Sequence, residues 1–258
     1  YLAKVYAHLE QWDKVIAYTR IVLNSPYFTL TSMGEVQAAK WDISSASWLW
    51  GYDITRETTT HWNSFYSNID NTNPISYAGG GAFKSIYSLL YAHIAPTDVR
   101  RNLYINRTEA PAIAYRYPQL PDYANLKYIT DTRFLGDYCF LRLEDPLLLY
   151  IEALVEKNEL PRAQNTLTYF MQNFRDPYYT PTATDQASMR EEVRWQRRIE
   201  LWGEGTSFFD FKRWGLGANR TQAGSNHVYA IDVPAGDRRW VYQIPISEIE
   251  ANPNMVQN

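Results

Sequence analysis

The sequence predicts a mostly α-helical fold with one long irregular insertion, and three observations carry that prediction. Two stretches, residues 1–30 and 137–177, place apolar residues at helical spacing, break at a polar turn and close on a proline or just before one. Residues 31–136 lose this periodicity and fill with Asn, Ser, Thr, Gly, Pro and Tyr. Residues 178–258 return to helix in a segment that mixes charges with bulky apolar side chains. The whole reads as one domain.

In the first stretch Leu2, Val5, Tyr6 and Leu9 share a helical face. The pattern breaks at Gln11–Trp12, and Val15, Ile16, Tyr18, Ile21, Val22 and Leu23 resume it before Pro26. The plan repeats with Leu147, Leu148, Ile151, Leu154 and Val155, then Leu160, Ala163, Leu167, Phe170, Met171 and Phe174, stopped by Pro177. Two antiparallel helices of this kind form a tetratricopeptide-type hairpin, which cannot bury its apolar faces alone and has to stack. Within the insertion, WLWGYDI (48–54) predicts a strand, and the polar, Gly-bounded stretch 56–81 predicts a loop. FKSIYSLLYAHI (83–94) predicts a helix stopped by Pro96, and residues 115–128 predict further loops. After Pro177 a loop leads into a helix through Trp202, followed by an aromatic, hairpin-like exit.

Composition narrows the function classes. At 258 residues, 45% hydrophobic and 21% charged, the chain can bury a substantial core. Its net charge of −3, with Lys and Arg dispersed, leaves no nucleic-acid footprint. Aromatic content is high at 16%, and Tyr and Trp dominate it. Such rings offer an apolar face and a polar edge, which suits half-exposed binding surfaces as well as cores. Trp41, Trp48 and Trp50 are read as core. The lone Cys139, in the apolar run DYCFLRL, reads as a small buried hydrophobe and excludes a disulfide framework. No apolar run reaches spanning length, so no transmembrane helix is predicted.

Chemistry-bearing motifs are absent from the sequence. There is no HExxH, phosphate loop, nucleophile elbow or Cys/His ligand spacing, so no metal and no cofactor are expected. Glu200 and Glu204 could be taken for a glycosidase pair. Flanked by arginines on an apolar helix, they read more readily as an ion-pair scaffold.

The densest signal is EEVRWQRRIELWGEGTSFFDFKRWG, Glu191 to Gly215. So many charges among Val193, Ile199, Leu201, Trp202, Phe208, Phe209, Phe211 and Trp214 cannot all sit on a solvated face. Several have to be buried as pairs, with Glu191–Arg194 a further pair at helical spacing. This segment resembles the hallmark of the SusD/RagB family: an ERR-x-EL helix, then EG-x-R-x-FDL and RWG. Arg197, Arg198, Glu200, Leu201, Glu204, Gly205, Phe209, Asp210, Arg213, Trp214 and Gly215 fall on that pattern. Gln196 stands where the family has Glu, and Ser207 where it has Arg; if those two pair in the family, losing both leaves no orphan charge. The two helical pairs, DVRRNLYI with Asp98, Arg100 and Arg101, and the ending YQIPISEIEANPNMVQN resemble the same family in the same order.

The resemblance implies a SusD-like fold and a non-catalytic role. Such a protein is a surface lipoprotein of the outer membrane that captures oligosaccharides and passes them to a SusC-type TonB-dependent transporter. The chain then reads as the C-terminal half of a longer protein whose N-terminal part carries the export signal and lipid anchor. Arg197, Arg198, Glu200, Glu204, Asp210, Arg213 and Trp214 are expected to be structural. The insertion is expected to supply a ligand platform of Arg56, Trp62, Asn63, Tyr66, Asn68, Asp70 and Tyr77, with Phe65 beside them. Flat aromatics on a loop with converging polar groups suit sugar rings. A second reading stays open at Trp62 and Tyr66, that their rings pack the loop onto the helices. Peptide capture within the same family is the alternative ligand class. A helical-toroid glycoside hydrolase and a tetratricopeptide scaffold are the alternatives of another class.

Overall fold

The computed structural model describes residues 1–39 and 41–258. It comprises two compact units, residues 1–204 and 205–258.

The first unit opens with α1 (Leu2–His8) and α2 (Trp12–Leu23), joined by a turn in which Glu10 takes a left-handed backbone. Ser32 then caps α3 (Met33–Gln37) in a reciprocal box with Glu35. Strand β1 (Trp48–Tyr52) follows, with short helices α4 (Phe65–Ile69), α5 (Ser88–Tyr91) and α6 (Pro111–Arg116) spaced along the insertion. Strand β2 (Tyr138–Arg142) runs directly into α7 (Glu144–Glu156), and α8 (Leu160–Phe174) and α9 (Gln186–Glu200) complete the unit.

Helix α7 is the axis of this unit. Its residues from Glu144 to Val155 are all buried, so it is apolar nearly all round, as a helix covered on every side must be. Leu148, Ile151, Leu154 and Val155 pack with Ala163, Leu167, Phe170 and Met171 of α8 and Met189 and Val193 of α9. On another face Leu149 and Ala153 meet Ala7 and Val15 of the first helical pair. Each fully buried Leu or Ile in this stack stabilises by about 2 kcal/mol. The two hairpins therefore stack on each other although 120 residues of sequence intervene between α2 and α7. Helix α8 carries Pro161 in its first turn, where no backbone donor is needed, and α9 starts on a capping box of Asp185 and Ser188.

The predicted strand forms and pairs antiparallel with β2, Trp48 facing Arg142, Gly51 facing Cys139 and Tyr52 facing Tyr138. Gly51 is required there, because a Cβ would lie 2.7 Å from the Trp48 ring and 2.9 Å from the Tyr138 carbonyl. Strand alternation buries Trp48 but turns Trp50 outward, 54% exposed, against Tyr1 and Phe140. Trp50 is thus a correction to the core assignment, and Trp41 is half-buried. Cys139 is half-buried beside the bulged register.

The helix predicted at 83–94 shrinks to α5. Ser85 bridges to Ala124 and the Ile86 N–H donates to the Tyr123 carbonyl, so the first half is held extended by a distant loop. Ile86, Leu90 and Ile94 form a second core with Val36, Leu103, Tyr104 and Ile199.

In the second unit the expected hairpin-like exit is instead a helix, α10 (Ser207–Arg213), ended by Gly215 in the left-handed region. A two-residue ladder joins β3 (Ala218–Asn219) to β4 (Asp232–Val233), and α11 (Ile246–Ala251) follows. Phe208 packs on Trp240 and Tyr242 at 5.6 and 5.3 Å between ring centres.

Candidate functional site

Two charges of the 191–204 stretch, Glu200 and Glu204, close a buried cluster. Glu200, the last residue of α9, accepts from Arg175 through both oxygens (Nε 2.7 Å, Nη2 2.6 Å), from Arg142 (2.8 Å) and from Arg100 (3.0 Å). Arg142 also grips Glu204 through Nε and Nη2 at 2.9 and 2.8 Å and reaches Glu144 at 3.0 Å. Lys127 donates to Glu204 at 2.6 Å and to the carbonyls of Glu200 and Trp202. Asp98 holds Arg100 at 2.6 Å. Lys127, Arg100, Arg142 and Arg175 thus face Asp98, Glu144, Glu200 and Glu204, charge for charge.

Burial raises the Glu200 carboxyl, but Arg175, Arg142 and Arg100 outweigh it and hold the group well below the usual carboxylate range. Glu204 is lowered too, burial being overcome by Arg142 and Lys127. Both are therefore anions whose oxygens are already taken by guanidinium or ammonium groups, unsuited to giving or taking a substrate proton. Arg197 lies outside this cluster and pairs with Asp145 at 2.7 Å, which Lys4 also reaches at 2.8 Å. Arg198 lies on the Trp195 ring, 4.5 Å from its centre. Buried Gln196 accepts from Arg100 at 2.6 Å and donates to Glu192, whereas Ser207 is exposed. In the second unit Asp210 and Arg213 pair at 2.9 Å, and Arg213 covers Trp214. Sequence reasoning missed Lys127, Arg142, Glu144 and Arg175. A charged residue in an apolar setting, as in FLRLEDP, was the available signal for Arg142 and Glu144.

The loop platform is built differently. A 3₁₀ turn, His61–Asn63, leads into α4, whose N-cap Ser64 accepts from the Ser67 N–H at 3.0 Å. The Ser67 carbonyl takes the Ala78 N–H at 3.0 Å and its hydroxyl the Tyr77 N–H at 3.4 Å. These bonds tie the segment carrying Trp62 to the one carrying Tyr77. Gly79 completes the tie, because a Cβ there would meet the Asn73 carbonyl. The Trp62 and Tyr77 rings meet edge to face, 5.1 Å apart at 75°, and stay 49% and 52% exposed. Arg56, Asn63 and Asn68 are exposed, and Asn68 is oriented by donating to the Ser64 carbonyl.

Two of the expected platform residues belong to the support. Tyr66 is 1% exposed: the turn of α4 sends it inward, against Phe65 and Tyr128 and over Gly136, which has no side chain to obstruct it. Asp70 is buried, accepting from the N–H and hydroxyl of Thr72 and from the Thr130 N–H. Its carboxyl is raised by burial, against those hydrogen bonds. Neither can touch a ligand at this surface. Among the described residues no group of His, Cys, Asp and Glu is arranged to hold a metal ion.

Residues 104–258, more than half the chain, match the model of the SusD family, and the chain belongs to that family. Its fold is similar to that of a SusD-like carbohydrate binding protein from Bacteroides vulgatus, with 20% identity and a TM-score of 0.77 over 98% of this chain and 57% of that one. It is similar to a SusD superfamily protein from Bacteroides thetaiotaomicron, with 23% identity and a TM-score of 0.76 over 100% and 58%. A third similar structure is the surface glycan-binding protein A of Bacteroides thetaiotaomicron, with 15% identity and a TM-score of 0.66 over 99% and 61%. The chain thus spans well under two thirds of each of these proteins. No curated protein matches it.

Proposed function

We propose that this chain is part of a cell-surface glycan-capture protein of the SusD type. It would be anchored in the outer membrane by lipid, and would hand oligosaccharides to a SusC-type TonB-dependent transporter without cleaving them. The observation that carries this reading is the Trp62–Tyr77 pair, two half-exposed rings at a steep angle on a loop fastened from beneath by Ser64, Ser67 and Gly79. A sugar would present its C–H face to one ring and its edge to the other, with the exposed Asn63, next to Trp62 in the sequence, and Asn68 of α4 as candidate hydrogen-bonding groups and Arg56 as a further candidate. Family membership supports the same ligand class, as does similarity to a SusD-like carbohydrate binding protein and to a surface glycan-binding protein.

Calorimetry of the full-length protein against a panel of oligosaccharides and peptides tests it. Trp62→Ala and Tyr77→Ala should each weaken glycan binding more than roughly tenfold, the loss of one hot-spot contact of about 2 kcal/mol. Thermal stability should barely move. Unchanged affinity in both variants, or binding confined to peptides, would overturn the reading.

A further inference from the structure

A cavity of about 280 Å³ lies away from the platform, where the loop after α8 meets α9. Asp98, Asp176 and Glu192 line it together with Tyr178, Tyr179 and Trp195, and among the described residues no Lys or Arg does. Asp98 is already neutralised, since both its oxygens hold Arg100. Asp176 is not. It is 2% exposed, and its carboxylate accepts one hydrogen bond, from the Tyr178 N–H at 3.0 Å. Its other oxygen has no partner among the described residues. Glu192 accepts from the Tyr179 hydroxyl and the Gln196 amide, both neutral donors, at 3.0 Å each. His93 stacks on Trp195 at 3.7 Å and walls one side. Burial and Arg198 pull its imidazole down, against Glu192, so at neutral pH it adds no positive charge.

Burying a carboxylate without a cation is costly, and the cost is removed when a cation arrives. We propose that this cavity binds a small ligand through a primary ammonium group, held between Asp176 and Glu192. The volume suits one sugar ring or one amino-acid side chain, so the ammonium comes from an amino sugar or from a lysine. An ammonium has three donors, which the carboxylate oxygens of Asp176 and Glu192 can accept, and the exposed Tyr178 at the mouth adds an aromatic face for a cation. The site is separate from the Trp62–Tyr77 platform and stands or falls independently of it.

Calorimetry of the full-length protein at neutral pH with glucosamine, glucose, N-acetylglucosamine and lysine amide is the test. Glucosamine should bind, and the two neutral sugars at least roughly tenfold more weakly, because a charge-assisted contact is lost. Lysine amide binding as well as glucosamine assigns the site to any ammonium; binding of glucosamine alone assigns it to amino sugars. Asp176→Asn and Glu192→Gln keep the acceptor oxygens for Tyr178, Tyr179 and Gln196, and should each lower glucosamine affinity about tenfold or more. Trp62→Ala should leave it unchanged. Equal binding of glucose and glucosamine, or no binding of either amine, would overturn the proposal. Those wild-type comparisons remain decisive even if a variant does not fold.

Discussion

Replacing Glu200 by Gln removes one negative charge from a group with three arginines on its two oxygens. A glutamine keeps one oxygen to accept, but turns an NH2 toward guanidinium donors and leaves the buried cluster with an excess positive charge. Breaking a buried ion pair from one side costs about 3–5 kcal/mol, and here one substitution disturbs contacts to three partners. With a urea m-value of about 1–3 kcal/mol/M, rising with size, the unfolding midpoint should fall by roughly 1–2 M. The control is Glu191→Gln on the same helix. Glu191 pairs with Arg194 at 2.7 Å, but its side chain is 55% exposed, so the change should stay below about 0.5 kcal/mol. Urea unfolding at pH 7, followed by circular dichroism and tryptophan fluorescence, measures both. A Glu200→Gln midpoint equal to wild type, with m unchanged, would refute the claim that the cluster holds the unit together.

Other consequences follow from single groups. Burial raises the Asp145 carboxyl, but Arg197 and Lys4 outweigh it and bring it down to about 2. Because its folded value lies below the unfolded value of about 3.9, its contribution, on the order of 2 kcal/mol, is present above pH 4 and lost as the pH falls toward 2. Unfolding free energies between pH 5 and pH 2.5 should therefore fall more steeply in wild type than in Asp145→Asn; equal slopes would contradict the pairing. Burial pushes the Cys139 thiol up to about 12. Iodoacetamide at pH 8 should label it slowly in the native protein and readily in urea, with equal rates counting against a shielded thiol. Gly79→Ala forces a Cβ onto the Asn73 carbonyl and should cost about 1–3 kcal/mol. It should also weaken glycan binding by displacing Tyr77, and a variant with normal melting and binding would remove Gly79 from the support.

The helical hairpins were legible in the sequence because their apolar spacing is local and each ends at or just before a proline. The same spacing misled at 83–94, where Ile86 is claimed by the backbone of Tyr123 and only α5 coils. The aromatic exit after Trp202 suggests a hairpin in the sequence, but Ser207–Arg213 is helical, and the aromatic density there reflects packing of Phe208 on Trp240 and Tyr242. At the platform, Trp62 and Tyr77 could be proposed from their polar surroundings, but nothing in the sequence separates Tyr66 from them. One step along α4 decides which ring faces inward. For the cluster, Glu200 and Glu204 were visible as charges in an apolar helix. Their partners were not, since Arg142 and Arg175 are brought to them only by the stacking of α7, α8 and α9.

The three guanidinium groups on Glu200 arrive from segments 25, 58 and 100 residues away along the chain. No one of them can settle there usefully by itself. A partly assembled form, with one arginine missing or one hairpin shifted by a turn, strands an ion in a dry interior. Hairpins of similar design can slide over each other with little loss of greasy contact, so their apolar faces alone select poorly among alignments. The cluster supplies the missing discrimination: it acts as a tally of arrivals, complete in one alignment and heavily penalised in its neighbours. Assembly of the unit should consequently be slow, since its decisive contacts are remote in sequence, and sharply cooperative once they close.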